Sequence, residues 1–313
     1  MEFRIGCALG ASLSLSLLLA PVIRARVGET QVRPAVLLPS GIVDDDSGLL
    51  EVGEYARKNT PKPVELKLLS YNIRWRGGED LNKFITLLRN DQEVGGAAVI
   101  GLQEVDRRRN RTNNVNTARL IAEQLSLNYA WAAPPPPPTT SGPNKHFEEE
   151  TGVALFSPYP MSDIERIVLP NAGPGGRRRA AIGATIHIGE HYVRAYSVHA
   201  ETRVPVAKKM EQLEAVLDSL GRRPNIKRAV VMGDFNTIKG KDVRECINLF
   251  KERGFTTPIP HDRDTWRTFI IELKLDWIWL RGIEPSGHGI VRRIGLSDHW
   301  PLWMNVTTQP GRR

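Results

Sequence analysis

The chain has 313 residues, 41% of them hydrophobic and 25% charged, with a formal net charge of +8 and two cysteines. Such a composition builds one large α/β domain or two ordinary ones around a sizeable core, and it excludes a disulfide-built scaffold. The positive charge favours anionic partners (nucleic acid, a phospholipid surface, phosphate esters) and alone sets neither fold nor substrate.

Residues 1–25 read as an export signal. Arg4 supplies a basic n-region, and residues 5–23 form an apolar core holding Leu13, Leu15, Leu17, Leu18 and Leu19. Ala20 or Ala25 precedes the expected cleavage site, which implies a periplasmic or secreted protein. An uncleaved membrane anchor is the alternative, because the apolar run is near the lower limit for a span. Cys7 has no long apolar run before it, which speaks against a lipoprotein. Cleavage leaves Cys246, whose neighbours Ile247, Leu249 and Phe250 predict a buried helical thiol without a disulfide partner. Residues 26–63 carry Pro34, Pro39, Pro61, Pro63 and the acidic triplet 44–46, and read as a linker or loosely docked extension. The domain proper is expected over residues 64–308, followed by a tail, 309–313.

Within that domain apolar runs predict strands near residues 64–72, 97–102, 151–156, 180–188, 192–198, 229–232 and 275–280. Helical spacing predicts helices over 80–88, 117–125, 208–220 and 243–253, each with one apolar face. Proline-rich 134–138 reads as an exposed excursion. The glycine-rich loop before Arg177, Arg178 and Arg179 reads as a solvated turn, or else as a backbone cradle for phosphate. Strands alternating with helices define the α/β class.

Six strand ends deliver polar groups: Asn72, Glu104, His199, Asp234 with Asn236, Asp276, and Asp298 with His299. Any one of these has an ordinary explanation. Gly233, Asp234 and Asn236 are turn formers, a single histidine often only bonds its surroundings, and Glu104 precedes a charged run. Asp276 is the exception, since an unpaired carboxylate in an apolar strand costs several kcal/mol, roughly, and His299 is its natural partner. Together, hard oxygen donors suit Mg²⁺, with Mn²⁺ as an alternative, and the imidazoles suit proton transfer beside a phosphate. No HExxH, CxxC pair, GxSxG or GxxxxGK[ST] motif is present, which removes the usual markers of zinc, acyl-transfer and P-loop chemistry.

The motifs SYNIR (70–74), GLQEVDR (101–107), ETGVALFSPYPM (150–161), YSVHAE (196–201), MGDFNT (232–237), LDWIW (275–279) and GLSDHWPLW (295–303) stand in one order. In that order the chain resembles the endonuclease/exonuclease/phosphatase superfamily, which includes deoxyribonuclease I, apurinic endonucleases, neutral sphingomyelinases and inositol-polyphosphate phosphatases. The resemblance implies a two-sheet, four-layer α/β sandwich of the deoxyribonuclease I type, with the site at one edge. It also implies roles: Asn72, Glu104 and Asp298 at the metal, Asp234 and Asn236 at the attacking water and phosphate, and His299 paired with Asp276 at the scissile group. His199 matches a histidine of the nuclease-like and sphingomyelinase-like branches, with Glu150 as its expected partner. The implied reaction is direct attack of an activated water on a phosphodiester, with either Asp234 or His299 taking the proton.

Substrate is less defined. Ala200 and Glu201 stand where many relatives carry leucine and aspartate. The arginine clusters at 107–111 and 177–179 favour nucleic acid, or else form a solubilising surface. A phospholipid or small phosphoester is the rival substrate, and a catalytically silent phosphate-binding module the rival class. No long apolar docking hairpin stands out in the sequence, so only weak membrane-surface contact is expected. No stable protein partner is expected, and the chain reads as a monomer.

Overall fold

The computed structural model describes residues 48–58, 60–61, 63–137 and 150–307. The expected signal, most of the proline-rich extension and the tail lie outside them. In chain order the elements are β1 (Leu50–Gly53), β2 (Glu65–Asn72), α1 (Gly78–Asn90), β3 (Val99–Arg107), α2 (Thr117–Leu125), β4 (Asn128–Ala132), β5 (Glu150–Ser157) and β6 (Met161–Val168). There follow β7 (Ala180–Ile188), β8 (His191–His199), α3 (Val206–Gly221), β9 (Ala229–Asp234), α4 (Gly240–Glu252), β10 (Trp266–Arg267), β11 (Glu272–Leu273), β12 (Asp276–Arg281), β13 (Pro285–Ile290) and β14 (Leu302–Thr307).

A seven-stranded sheet runs β1-β4-β5-β3-β2-β14-β13 and a five-stranded sheet runs β12-β9-β8-β7-β6. Alternation along the strands explains the layering. Leu68, Val99, Val153 and Leu155 face Ile182, Ala195, Val230, Met232 and Ile278 across the gap between the sheets. Their neighbours Leu69, Ile100, Ala154 and Phe156 turn outward onto α1 and α2, through Phe84, Leu88, Ile121 and Ala122. Val231, Trp277 and Trp279 do the same against α3 and α4. Both faces of the central strands are therefore covered, which is why they read as unbroken apolar runs. The result is the four-layer α/β sandwich.

Two parallel pairs position the site. β2 pairs with β3 across α1, and β8 with β9 across α3, so four strands end on the same side. β12 runs antiparallel to β9 with Asp276 opposite Asp234, which makes the start of β12 part of that edge.

Two expectations need correction. The sheet starts inside the presumed extension: β1 pairs with β4, Leu50 opposite Ala132. A short edge strand with one buried residue leaves no periodicity to read. Second, the sequence marks no element at 266–273, where a short hairpin with an apolar tip stands; it is not the long docking hairpin whose absence was expected. β10 and β11 are only two residues long, too short for a strand pattern, and they carry Phe269 and Ile270 at their tip.

Candidate active site

Asn72 ends β2 and is fully buried. Its Nδ2 donates to Glu104 Oε1 at 3.2 Å and to Asp234 Oδ2 at 3.0 Å, joining groups from both sheets. Glu104 sits at a bulge in β3, where register slips between Gln103 and Val105, and it adopts φ 55°. A bulge re-aims a side chain, and here it presents the carboxylate to the cleft rather than to the next strand. At the end of β9, Asp234 Oδ1 accepts the Asn236 N–H at 3.0 Å, and Asn236 Nδ2 donates to the Ala200 carbonyl at 2.9 Å.

His299 Nδ1 lies 2.8 Å from Asp276 Oδ2. Thr265 Oγ1 donates to that same oxygen at 2.7 Å and receives the Leu275 and Asp276 N–H groups at 3.0 and 2.9 Å. Nε2 of His299 and Nε2 of His199 both face Asp234 Oδ2, at 3.7 and 3.6 Å. Beyond His199, its Nδ1 is 3.4 Å from an Arg179 guanidinium nitrogen. Arginine only donates, so Nδ1 is the acceptor and Nε2 carries the hydrogen.

Charge follows geometry. Burial pulls His299 down, but Asp276, Asp234 and Asp298 outweigh it and lift its pKa to about 9. Burial, with Asp276 adding to it, raises Asp234 to about 7 against the pull of His299. Burial and then Arg179 hold His199 well below the ordinary histidine value, so it is neutral. The groups line a cleft of about 270 Å³ together with Trp75, Arg179, Trp266 and Leu273.

The sequence model of the endonuclease/exonuclease/phosphatase family matches residues 69–299, which spans every group just described. The chain belongs to that family. No curated protein sequence matches it. Among solved structures it is similar to a family protein from Leptotrichia buccalis C-1013-b, at 16% identity and TM-score 0.57, covering 76% of this chain and 98% of that one. A humanized D. rerio TDP2 is similar at 17% identity and TM-score 0.59, over 79% and 100%. The human Nocturnin catalytic domain with bound sulfate is similar at 15% and 0.58, over 82% and 96%. Identities this low establish the shared fold and nothing about substrate.

Of the nine site residues expected from the sequence, eight converge on this edge of the family fold. Glu150 does not. It begins β5, where its carboxylate pairs with Arg107, which also holds Glu51; His199 has Arg179 and Asp234 for neighbours instead. Asp298 stands at the rim in an ion pair with Arg74 at 3.0 Å. The arginine clusters are largely compensated inside the protein. Arg107 is buried between Glu51 and Glu150, Arg111 pairs with Asp106, and Arg177 and Arg179 both pair with fully buried Glu201. The loop they occupy is thus a tethered structure rather than a free turn, and Gly173 packs so closely on Glu201 that a Cβ would lie 2.7 Å from its carboxyl carbon.

Sequence reasoning passed over Thr265 and read Arg179 only as part of a basic cluster. Thr265 immediately precedes a strand of two residues, and the role of Arg179 depends on Glu201 and His199, 22 and 20 residues along the chain. Donor atoms of Asp234, Asp276 and His299 lie within 4.8 Å of one another and could hold a metal ion. The hydrogen bonding argues otherwise, because Asp276 and His299 already satisfy each other. Glu104, with the Asn72 carboxamide that joins it to Asp234, forms the oxygen-bearing set that suits a hard divalent cation.

Proposed function

We propose that this protein is a Mg²⁺-dependent phosphodiesterase that hydrolyses its substrate by direct attack of water. One observation carries the reading: a buried Asp276–His299 pair and a neutral His199 both aim Nε2 at Asp234 in one cleft. Glu104 and Asn72 would hold the cation, which when bound supplies charge neutralisation on the phosphoryl oxygens. His299, flanked by three carboxylates, is the cation of the cleft and donates to a phosphoryl oxygen or to the departing alkoxide. That leaves Asp234 as the acceptor of the water's proton, oriented by Asn72 and by the Asn236 N–H. Arg179 and the Nε2–H of His199 offer two more donors to the phosphate.

The silent-module alternative is disfavoured, since every hydrogen bond needed to orient the dyad is in place. Part of the basis for a nucleic-acid substrate is drawn inward, because Arg107, Arg111, Arg177 and Arg179 pair with Glu51, Glu150, Asp106 and Glu201, while Arg108 and Arg178 stay exposed. We also propose export, on Arg4 and the apolar run at 5–23.

The test uses purified protein, bis(p-nitrophenyl) phosphate, plasmid DNA, RNA and sphingomyelin, with Mg²⁺ or with EDTA, beside His299→Ala. Mg²⁺-dependent turnover that His299→Ala abolishes is the expected result. Turnover in EDTA, or an unaffected variant, would refute it.

A further inference from the structure

Residues 268–271, Thr-Phe-Ile-Ile, connect β10 to β11, and the Thr268 N–H closes the turn on the Ile271 carbonyl at 2.9 Å. Phe269 is 103% exposed, Ile270 92% and Ile271 48%. The other exposed large apolar side chains among the described residues, Tyr55, Val64 and Tyr192, are isolated in the sequence. Turns select glycine, asparagine, aspartate and serine, so hairpin geometry asks for none of these three side chains. A contiguous apolar tip held in water marks a surface that meets something apolar.

The base of this hairpin is part of the catalytic edge. Trp266 bridges to His299, the Arg267 N–H donates to the Asp298 carbonyl at 2.9 Å, and Trp300 N–H donates to the Thr265 carbonyl at 2.7 Å. Trp266 and Leu273, its first and last strand residues, line the cleft. Whatever the tip enters is therefore held at a fixed distance from the dyad.

We propose that Phe269 and Ile270 insert into the surface of a phospholipid bilayer, holding the cleft at headgroup level over a lipid phosphodiester. The lipid substrate rests on the phosphodiesterase reading above; the docking does not. Three features favour a bilayer over a protein. The exposed tip consists of three side chains, far short of the ~800 Å² per partner that a stable protein interface buries. Interfacial insertion needs only about 5–10 Å of depth. Beside the tip, Arg267 and Arg292 are exposed and lie over the Trp300 ring, 5.8 and 4.4 Å from its centre. Arg292 also pairs with Glu272 of β11 at 3.4 Å, whereas Arg267 has no ion pair among the described residues. Such an amphipathic rim suits the boundary between acyl chains and headgroup phosphates. The contact is one of docking: among the described residues no helix is long and apolar enough to cross a membrane.

The experiment compares the full chain with the double variant Phe269→Ser/Ile270→Ser. Both are sedimented with phosphatidylcholine vesicles, with and without phosphatidylglycerol, and assayed on bis(p-nitrophenyl) phosphate. Wild type should partition onto both vesicle types, and the variant should lose about tenfold or more of that binding. Turnover of the soluble diester should stay within about twofold, since neither residue touches the cleft. Unchanged vesicle binding by the variant would overturn the proposal, as would wild type that ignores vesicles. So would a wild-type dimer that the variant dissolves, or plasmid cleavage lost while vesicle binding persists. If vesicles bind through the tip but no diester is hydrolysed, docking stands and the lipid-substrate part falls with the phosphodiesterase reading.

Discussion

Asp276→Asn isolates what the buried carboxylate does for His299. The amide can keep an oxygen at the Oδ2 position, where it still accepts from Thr265 and from His299 Nδ1. Its NH₂ then takes the Oδ1 position, which is buried and without a hydrogen-bond partner, so a loss of stability of about 1–3 kcal/mol is expected. The larger effect is electrostatic. Asp276 is the strongest support for the His299 imidazolium, whose pKa stands near 9. Without it, less offsets the burial and the value should fall from about 9 toward the ordinary 6.5. With the value at 6.5, the protonated share at pH 7.5 drops from nearly all to about one in ten, a loss of about tenfold in kcat/KM before any disorder of the ring is counted. Stopped assays of bis(p-nitrophenyl) phosphate from pH 5 to 10, with thermal melts of both proteins, measure this directly. The alkaline limb of the profile should move from about pH 9 toward about pH 6.5. An unmoved limb, with kcat/KM within about twofold of wild type, would refute the assignment of His299 as the cation.

Three further outcomes follow from the same contacts. Glu201→Gln should lower kcat/KM by about tenfold by releasing Arg179, with an additive Arg179→Ala double variant counting against it. Its cost in stability should stay below the ~3–5 kcal/mol of a fully buried broken pair, because Arg177 is 43% exposed. Burial pushes Glu201 up, but Arg177 and Arg179 outweigh it, so its folded pKa is lowered. The stability it contributes is present above the ordinary glutamate value and lost as pH falls through the lowered one, and acid melts of the variant should lack that component. Glu104→Gln keeps an acceptor for Asn72 but loses the charge. Calorimetric titration should show Mg²⁺ affinity reduced about tenfold or more with an unchanged melting temperature, whereas an unchanged Mg²⁺ titration would exclude Glu104 as a ligand. Cys246 is buried, which raises its thiol pKa, so Ellman's reagent should react only as urea unfolds the chain.

Helical spacing located all four α-helices among the described residues, and α2 (Thr117–Leu125) agrees with its expected bounds at both ends. The central strands were legible because both their faces are buried. Most strands that escaped notice lack that property, and β4, buried on both faces, is too short to show it. β13 contains two glycines and a proline, β4 has five residues, and β10 and β11 have two each. Asn72, His199 and Asp234 were legible as strand ends because the connectivity β2-α1-β3 and β8-α3-β9 brings C-terminal ends together. By contrast, Glu104 stands at a bulge within β3, Asp276 begins β12, and Asp298 and His299 lie in the loop before β14 rather than at the end of a strand. Charge partners were not. Arg107 reads as the start of a basic cluster, yet Glu51 lies 56 residues before it and Glu150 lies 43 after it. Glu201 reads as a departure from the family pattern, whereas the fold makes it the anchor of Arg177 and Arg179.

The position of the cleft follows from how two sheets can be held in register. Between them the contacts are mostly aliphatic, and such packing is non-directional: it fixes spacing better than it fixes lateral position. Polar links are directional, and those that cross the gap gather at the active edge. Gln103 Nε2 donates to Ser197 Oγ, and Ser197 donates on to the Leu102 carbonyl, both at 3.0 Å. Asn72 completes the set by reaching Asp234. Gly101 of β3 permits this closeness; a Cβ there would stand 3.0 Å from Met232 Cγ of β9 in the facing sheet. Lateral slip of one sheet over the other would therefore part Asn72 from Asp234 and the cation side of the cleft from its proton-transfer side at once. In this chain the bonds that align the sandwich are the same ones that assemble the site.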